Sequence, residues 1–239
     1  MIKHIPNTLT LLNLIAGFAA TIYAINGYNE YAAICIMTGM LLDFSDGFAA
    51  RLLKAYSAIG KDLDSLADMV TFGIAPGAIV LNLLTDSGLG MAAAFAIAAL
   101  IPAASALRLA RFNNDTTQAT SFRGLATPAS AFTVISVVLA SSYSDIALAD
   151  TLSRSAWFIS LLSLFLAVMM LINVRMFSLK LSHMRWSGNE ERYIFAATSL
   201  LLIIILRMAA APLIMAAYIV ISLVSGMIRR RKHEQTPEA

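Results

Sequence analysis

Residues 43–68 read DFSDGFAARLLKAYSAIGKDLDSLAD, and they join two strongly apolar runs of the chain. The stretch holds five aspartates and three cations, although 59% of the whole sequence is hydrophobic. Charged side chains are costly inside a bilayer and generally mark a functional site there. The arrangement of these aspartates therefore decides how the chain must fold around them.

The helical period places most of these acids on two faces, since each residue turns a helix by about 100°. The first face, at the end of one apolar run, contains Asp43, Asp46, Gly47, Ala50 and Arg51. The second, at the start of the next run, contains Gly60, Asp64 and Asp68. The eight residues between Arg51 and Gly60 can reverse the chain. Two antiparallel helices would then bring four carboxylates together, whereas Asp62 falls on the opposite face.

The rest of the chain is typical of a polytopic membrane protein. Only 13% of its residues are charged, against about 25% in soluble domains. Apolar runs that fit membrane-spanning helices occupy residues 8–26, 31–52, 63–84, 89–110, 126–143, 155–174, 192–207 and 209–228. The sequence therefore predicts an all-α integral membrane bundle of about eight transmembrane helices. Pro76 lies inside the third run, where we expect it to kink the helix.

The cations predict the orientation of the bundle. With the N-terminus inside, all but two of the 17 Lys and Arg residues fall on the cytoplasmic side, the exceptions being Arg154 and Arg207. This bias predicts a protein of the cytoplasmic (inner) membrane, with both termini and the acidic stretch facing the cytoplasm. It also accounts for the pI of about 9.1 without a nucleic-acid partner.

The sequence divides into one transmembrane domain and a tail. We expect residues 1–228 to form a single domain with the acidic stretch at its centre. Residues 229–239, RRRKHEQTPEA, begin with four cations and then become polar. Such a composition predicts a disordered cytoplasmic tail that is held near anionic membrane lipids.

Converging carboxylates require positive charge. Hard divalent cations such as Mg²⁺, Mn²⁺ or Ca²⁺ prefer oxygen ligands of this kind. Two such ions about 4 Å apart can bind both the attacking and the leaving oxygen of a phosphoryl group. Arg51, one turn further along, suits a diphosphate. Gly47 and Gly60 leave space for a nucleotide base or a phosphate against the backbone.

Two other interpretations of the same residues remain open. Paired intramembrane aspartates occur at ion sites, so a cation-coupled transporter is a possible function of a different class. Glycines on one helix face also allow neighbouring helices to pack closely without any catalytic role. A purely structural protein, however, offers no reason for so many carboxylates in phase.

The stretch resembles the signature of a known enzyme family. Its residues follow D-x2-D-G-x2-A-R-x8-G-x3-D-x3-D without a departure, from Asp43 to Asp68. This pattern is similar to that of the CDP-alcohol phosphotransferases, which are integral membrane enzymes of phospholipid biosynthesis. The resemblance implies attack of an alcohol on the phosphorus of a CDP-linked lipid, with CMP as the leaving group. Direct in-line attack is expected, because no Ser/His or Cys/His nucleophile pair accompanies the site.

The resemblance also implies a role for each residue of the signature. Two divalent cations, Mg²⁺ or Mn²⁺, would be bound by Asp43, Asp46, Asp64 and Asp68. Asp68 would also act as the general base on the acceptor hydroxyl. The CDP-lipid would be bound by Gly47, Ala50, Arg51 and Gly60, and the N-terminal residues Asn7 and Thr10 would border the nucleotide.

Further segments resemble one branch of the family, which makes phosphatidylserine from CDP-diacylglycerol and L-serine. They are PNTLTLLNLIAGFAA (6–20), DSLADMVTFGIAPG (64–77), ALRLARFN (106–113) and SFRGLATPA (121–129). One departure is Ala126, where that branch has proline. The loop region 106–129 is therefore a candidate acceptor region. Its candidate acceptor-binding residues, which could meet the carboxylate of serine, are Arg108, Arg111, Asn113 and Arg123.

The acceptor alcohol has alternatives within the same chemistry. Glycerol 3-phosphate or an inositol phosphate could replace L-serine, although a phosphorylated acceptor would require a more basic pocket. The arginines of the acceptor region could also serve only to determine topology or to bind lipid phosphate. The resemblance further implies a homodimer.

Overall fold

A computed structural model describes residues 4–55, 57–114, 122–176 and 189–235, without the side chains of Phe122, Arg123, Arg175, Met208 and 227–235. In its first half it is helical. The elements are α1 (Ile5–Ile25), α2 (Asn29–Leu52), α3 (Ala58–Asp68), a π-helical turn (Met69–Ile74), α4 (Ala75–Asp86), α5 (Met91–Ala98) and α6 (Leu100–Asn114). These helices cover the first four apolar runs of the sequence, including both halves of the acidic stretch.

The second half continues with shorter helices and one small strand pair. Its elements are β1 (Phe122–Arg123), α7 (Thr127–Tyr143), α8 (Ala147–Ser153), α9 (Ala156–Leu171), β2 (Arg175–Met176), α10 (Glu190–Leu206), a 3-10 turn (Arg207–Ala209) and α11 (Ala210–Gln235). Each of the last four predicted apolar runs therefore also coincides with a helix.

Four helical runs in the described part of the chain are long and apolar enough to cross a membrane. They are Ile5–Ile25, Asn29–Leu52, Ala58–Asp86 and Met91–Asn114. A fifth is obtained if α8 and α9, which meet at a bend of 75°, count as one span. The predicted α-helical architecture is confirmed, with four or five candidate membrane spans and one two-residue strand pair as the exception. Eight crossings and inward-facing termini stay predictions.

Large apolar side chains cover the outside of these helices. Phe18, Leu41 and Leu161 are each more than 60% exposed. Soluble monomers rarely expose contiguous apolar surfaces of this kind. Small residues such as Ala20, Ala24 and Ala32 are completely buried instead. This distribution fits helices that pack through small residues and present large ones to lipid.

The π-helical turn lies directly between Asp68 and Pro76. Residues Ala58–Asp86 nevertheless form one helical run, so Pro76 does not break the span. A proline provides no N–H for the carbonyl one turn earlier, and its ring needs space. The wider π turn accommodates both requirements, and such turns often occur at functional sites. The expected kink at Pro76 stays a prediction, and the structure adds a π-helical turn immediately before it.

Close contacts fasten this turn to the first two helices. The Thr71 hydroxyl donates to the backbone carbonyl of Asn13, at 2.9 Å. A Cβ on Gly39 would lie 2.5 Å from Thr71 Cγ2 and 2.8 Å from Asn13 Oδ1. Gly17 is in similarly close contact with Thr71. The glycines let α1, α2 and the π turn meet directly, and this contact positions Asp68 relative to α2.

A strand pair joins two segments that are distant in sequence. β1 and β2 are antiparallel, with Phe122 opposite Met176. The following Gly124 has a φ of +74°, and a Cβ there would lie 2.6 Å from the carbonyl oxygen of Met170. The N–H of Leu125 donates to the carbonyl of Met169, at 2.8 Å. The region before α7 is therefore attached to the C-terminal end of α9, so both lie on one side of the bundle.

The C-terminal helix extends further than the sequence predicts. α11 continues to Gln235, whereas residues 229–239 were expected to be disordered. Arg, Lys, Glu and Gln have high helix propensity, and they continue a helix that has already formed. Residues 236–239 lie outside the described part of the chain.

Candidate active site

Three of the four predicted carboxylates converge between α2 and α3. One carboxylate oxygen from each of Asp43, Asp64 and Asp68 lies within 4.8 Å of those of the other two. The helical phase therefore places these side chains as predicted, with one from α2 and two from α3. Asp62, on the opposite face of α3, is exposed.

The charge on this group is large for such a location. Two carboxylates 4.8 Å apart repel each other by about 3.5 kcal/mol at an effective dielectric constant of about 20. Three such pairs add to about 10 kcal/mol, which is comparable to the stability of a whole domain. A divalent cation bound between the carboxylates would turn this repulsion into attraction.

The donor set fits a hard divalent cation. Asp68 Oδ1 is buried and has no hydrogen-bond partner among the described residues. A buried carboxylate oxygen without a partner is costly, and a bound cation would satisfy it. The spacing of the three oxygens also suits a common ion, since Mg²⁺ and Ca²⁺ hold oxygen ligands at about 2.0 to 2.6 Å.

Asp46 differs from the other three aspartates. It is only 5% exposed and lies outside the group of three carboxylates. Thr10 Oγ1 lies 2.6 Å from Asp46 Oδ2 and 3.0 Å from the carbonyl of Pro6. A hydroxyl carries one proton, and the shorter bond to a carboxylate is the stronger. In this structure Thr10 therefore orients Asp46, although the sequence suggests a contact with the nucleotide.

The glycines of the signature have different surroundings. A Cβ on Gly47 would meet no atom within 4 Å, so the surface of α2 is open there. A Cβ on Gly60 would lie 2.9 Å from Ser57 Oγ and 3.2 Å from Asn7 Oδ1. Ser57 caps α3, since its hydroxyl accepts the N–H of Gly60 at 3.0 Å. Asn7 is thus beside Gly60, and their predicted contact with the nucleotide stays a prediction.

Arg51 is exposed at the end of α2. Its Nε donates to the carbonyl of Gly47, at 3.0 Å, while the side chain lies along the helix. Ala50 is half-buried on the same helix. Arg51, Gly47 and Ala50 therefore form one accessible strip next to the carboxylates.

The candidate acceptor residues are in different environments. Arg108 is 8% exposed, and its Nε has no hydrogen-bond partner within the described chain. Its guanidinium is close enough to Asp68 for their charges to interact. Among the candidate residues with described side chains, Arg108 is the buried one.

Arg111 and Asn113 make structural contacts. Arg111 Nη1 donates to the carbonyl of Leu171, the last residue of α9, at 3.1 Å. Asn113 Nδ2 donates to Ser65 Oγ at 2.8 Å. The backbone carbonyl of Asn113 accepts a hydrogen bond from Lys61 Nζ at 2.9 Å. These bonds attach the end of α6 to α9 and α3. The side chain of Arg123 lies outside the described residues, so its predicted role stays a prediction.

The sequence did not single out several residues that shape this site. Asn13 is fully buried beside Thr71, and neither polar atom of its side chain has a partner among the described residues. Tyr218, on α11, is close enough to Arg108 for electrostatic interaction. The sequence indicates Asn13 only weakly, as a polar residue within an apolar run. Nothing in the spacing of the chain indicates that Tyr218 lies near the site.

Known proteins resemble this chain over the region that forms the site. A family model described as CDP-alcohol phosphatidyltransferase matches residues 3–169. The CDP-diacylglycerol–serine O-phosphatidyltransferase of Bacillus subtilis is 37% identical over 152 residues, which are 62% of this chain and 81% of that protein.

Two further relatives match a smaller share of their own length. The enzyme of the same name from Mycobacterium leprae is 34% identical over 145 residues, or 57% of this chain and 47% of that protein. The archaetidylserine synthase of Methanothermobacter thermautotrophicus is 31% identical over 147 residues, which are 61% of this chain and 62% of that protein. The family match over residues 3–169 thus spans all eight signature positions.

Proposed function

Because this chain belongs to the CDP-alcohol phosphatidyltransferase family, we propose that it transfers the phosphatidyl group of CDP-diacylglycerol to L-serine, producing phosphatidylserine and CMP. The observation that carries the choice of acceptor is the buried guanidinium of Arg108, whose Nε has no partner among the described residues and which lies within electrostatic range of Asp68. One residue can accept the proton of the serine hydroxyl, while the other binds the serine carboxylate. The names of the relatives support the same acceptor.

The proposed reaction is a single in-line displacement. The serine hydroxyl oxygen forms a bond to the phosphorus that carries diacylglycerol, and the bond from that phosphorus to the CMP oxygen breaks. Asp68 accepts the hydroxyl proton as the general base and later releases it to water. A positioned base is needed because an alcohol is a weak nucleophile near neutral pH.

The other aspartates would provide a binding site for the cations. Asp43, Asp64 and Asp68 converge, and Asp46 is oriented from the side by Thr10. We propose that the four together hold two ions, Mg²⁺ or Mn²⁺. Their positive charge would offset the negative charge of the diphosphate and of the leaving CMP. To bind the second ion, Asp46 would have to move towards the other three carboxylates, or use the carboxylate oxygen that does not contact Thr10.

The strip formed by Gly47, Ala50 and Arg51 would bind the nucleotide end of the lipid. Open space at Gly47 allows a flat base or a phosphate to approach α2. The guanidinium of Arg51 is accessible and suits a diphosphate. Gly60 and Asn7 would complete this pocket from α3 and α1.

The basic character of the acceptor pocket favours serine over phosphorylated alcohols. Arg108 is the one buried Lys or Arg among the residues whose side chains are described. A single guanidinium matches the single carboxylate of serine. Glycerol 3-phosphate and inositol phosphates carry more negative charge and would require further cations.

The surroundings of the enzyme follow from the distribution of charge. We propose that it lies in the cytoplasmic membrane with its active site facing the cytoplasm, where L-serine and CMP are soluble. The family match over residues 3–169 argues against the cation-coupled transporter, because nucleotide chemistry explains the signature residues.

A panel of acceptors tests the proposed activity. Purified protein is incubated with CDP-diacylglycerol and with L-serine, glycerol 3-phosphate or inositol phosphate, and CMP release is measured. We expect L-serine to be used at least about 100-fold more efficiently, because the one buried guanidinium among the described side chains, that of Arg108, would leave a phosphate underpaired. Efficient CMP release with another acceptor would support the proposed phosphatidyl transfer but refute L-serine as the acceptor. Solute flux without CMP release would support the transporter.

Removal of divalent ions tests the proposed metal site. We expect EDTA to abolish CMP release and Mg²⁺ or Mn²⁺ to restore it, because the carboxylates need a counter-charge to bind a diphosphate. Saturating Mg²⁺ should also raise the thermal unfolding temperature, since about 100 times the dissociation constant adds about 2.7 kcal/mol of stability.

Asp64→Asn should lose this stabilisation, whereas the exposed control Asp62→Asn should keep it. An EDTA-treated enzyme with full activity, or an Asp64→Asn variant still stabilised by Mg²⁺, would contradict the metal assignment.

A further inference from the structure

We propose that Thr10 controls when a second divalent ion binds, because it holds Asp46 away from the other three carboxylates. This inference rests on the proposed two-ion site and adds a positioning residue to it. Asp46 would join the site only when the diphosphate of the CDP-lipid arrives with further oxygen ligands. Occupancy by the second ion would then depend on binding of the nucleotide.

The hydrogen bond between Thr10 and Asp46 joins α1 to α2 inside the bundle. Thr10 Oγ1 lies 2.6 Å from Asp46 Oδ2, and the two residues are 3% and 5% exposed. A bond between a hydroxyl and a carboxylate is strong when it is shielded from water. Asp46 is also the one signature aspartate outside the converging group of Asp43, Asp64 and Asp68. The bond thus holds Asp46 in a position apart from these three.

Thr10 has a second acceptor for the same proton. The carbonyl oxygen of Pro6, one turn earlier in α1, lies 3.0 Å from Thr10 Oγ1. Threonine hydroxyls can bond to the carbonyl four residues before them in a helix, and Thr8 makes a bond of this kind to His4 at 3.1 Å. When Asp46 moves away, the Thr10 hydroxyl can therefore donate to Pro6 instead. The release of Asp46 leaves no unsatisfied hydroxyl behind.

The charge of the converging group explains why a first ion does not need Asp46. Its three carboxylates carry three negative charges, so one divalent ion between them leaves a single negative charge. A second divalent ion would meet little attraction there unless another anion approaches. Mg²⁺ is usually bound by one or two carboxylates together with phosphate oxygens of the substrate. The diphosphate and Asp46 together would supply the missing negative charge.

The surface next to Asp46 is open to such a diphosphate. Gly47 follows Asp46 in α2, and a Cβ on Gly47 would meet no atom within 4 Å. Arg51, one turn further along the helix, is exposed. A diphosphate on this surface would therefore lie beside Asp46 and could share an ion with it.

The variant Thr10→Val tests this role, since valine has the shape of threonine without the hydroxyl. Binding of Mn²⁺ to the purified protein is measured by electron paramagnetic resonance, with and without CDP as a soluble diphosphate. Without CDP, we expect the wild type to bind the second ion about tenfold more weakly than the first. In Thr10→Val the dissociation constant of the second ion should fall about tenfold, because a bond to a charged group no longer opposes binding.

Three further variants control for the substitution itself. Thr10→Ser keeps a hydroxyl and should bind both ions like the wild type. Thr8→Val makes the same change at an exposed threonine of α1 that bonds to a carbonyl, and it should alter neither dissociation constant. In an Asp46→Asn background, Thr10→Val should change the second dissociation constant less than twofold, because the two residues act through one bond.

Thermal unfolding gives a second measurement that does not depend on activity. Without metal, the buried carboxylate of Asp46 loses a donor in Thr10→Val, and an ion with CDP would satisfy it again. The rise in unfolding temperature caused by saturating Mn²⁺ and CDP should therefore be larger in Thr10→Val than in the wild type. Thr10→Ala, which also lacks the hydroxyl, should show the same increase.

The outcomes separate this inference from the proposed function. A second ion that binds Thr10→Val no more tightly than the wild type would refute the role of Thr10. Two ions bound equally tightly by the wild type without CDP would also refute it. A wild type that binds no second ion even with CDP would refute the two-ion site itself. Transfer to L-serine is tested independently by CMP release in the acceptor panel.

Discussion

Replacement of Asp68 with asparagine is expected to abolish CMP release, with kcat lowered about 10³-fold or more. Loss of a general base alone typically costs 10² to 10⁴ in rate. Asp68 is also one of the three converging carboxylates, so the same substitution weakens the proposed metal site. The measurement is CMP release from CDP-diacylglycerol at saturating L-serine and Mg²⁺.

The matched control for Asp68→Asn is Asp62→Asn, which changes an exposed aspartate of the same helix. It should retain nearly normal activity. The unfolding temperature of Asp68→Asn without metal should be close to or above that of the wild type, because removing one charge relieves repulsion. Activity within tenfold of the wild type would rule out Asp68 as the base.

Replacement of Gly17 with alanine is expected to destabilise the protein by about 3 kcal/mol or more. The new Cβ would lie 2.6 Å from Thr71 Cα and 2.8 Å from Thr71 N. Because these are backbone atoms, α1 and the π-helical turn would have to separate. Thr71 follows Asp68 by less than one helical turn, so activity should fall with stability. Thermal unfolding in detergent and CMP release are the two measurements.

Gly47→Ala distinguishes this steric effect from the general effect of replacing a helical glycine. Gly47 lies inside α2 with open space around its Cα, so alanine should stabilise the helix by about 1 kcal/mol. Its activity should nevertheless fall, because the added methyl group occupies the proposed nucleotide surface. A Gly17→Ala protein as stable as the wild type would show that α1 and the π turn are not in rigid contact.

The sequence alone was sufficient to indicate the family and the converging carboxylates. The spacing of Asp43, Asp64 and Asp68 follows the helical period, and helical phase depends only on local geometry. The apolar runs likewise predict the helices, because a backbone in lipid must satisfy its own hydrogen bonds. Eight signature positions were enough to indicate the family, and the match over residues 3–169 confirms it.

Contacts between helices could not be read from the same pattern. Periodicity shows that Asp46 shares a face with Asp43, but only packing brings Thr10 of α1 to its carboxylate. The sequence makes both Arg108 and Arg111 candidate acceptor residues, and it favours Arg111. In the structure Arg108 is buried within electrostatic range of Asp68, whereas Arg111 donates to the carbonyl of Leu171.

The sequence by itself thus determined the helices and the converging carboxylates, because each depends on residues within one or two adjacent helical segments, and its resemblance to a known family indicated the type of reaction. The tertiary structure decided which polar side chains surround the carboxylates, since this depends on how segments far apart in the chain pack together. The π turn at Thr71 is fixed by glycines on α1 and α2, and the position of Tyr218 depends on α11 packing against α7. Local periodicity contains no information about either contact.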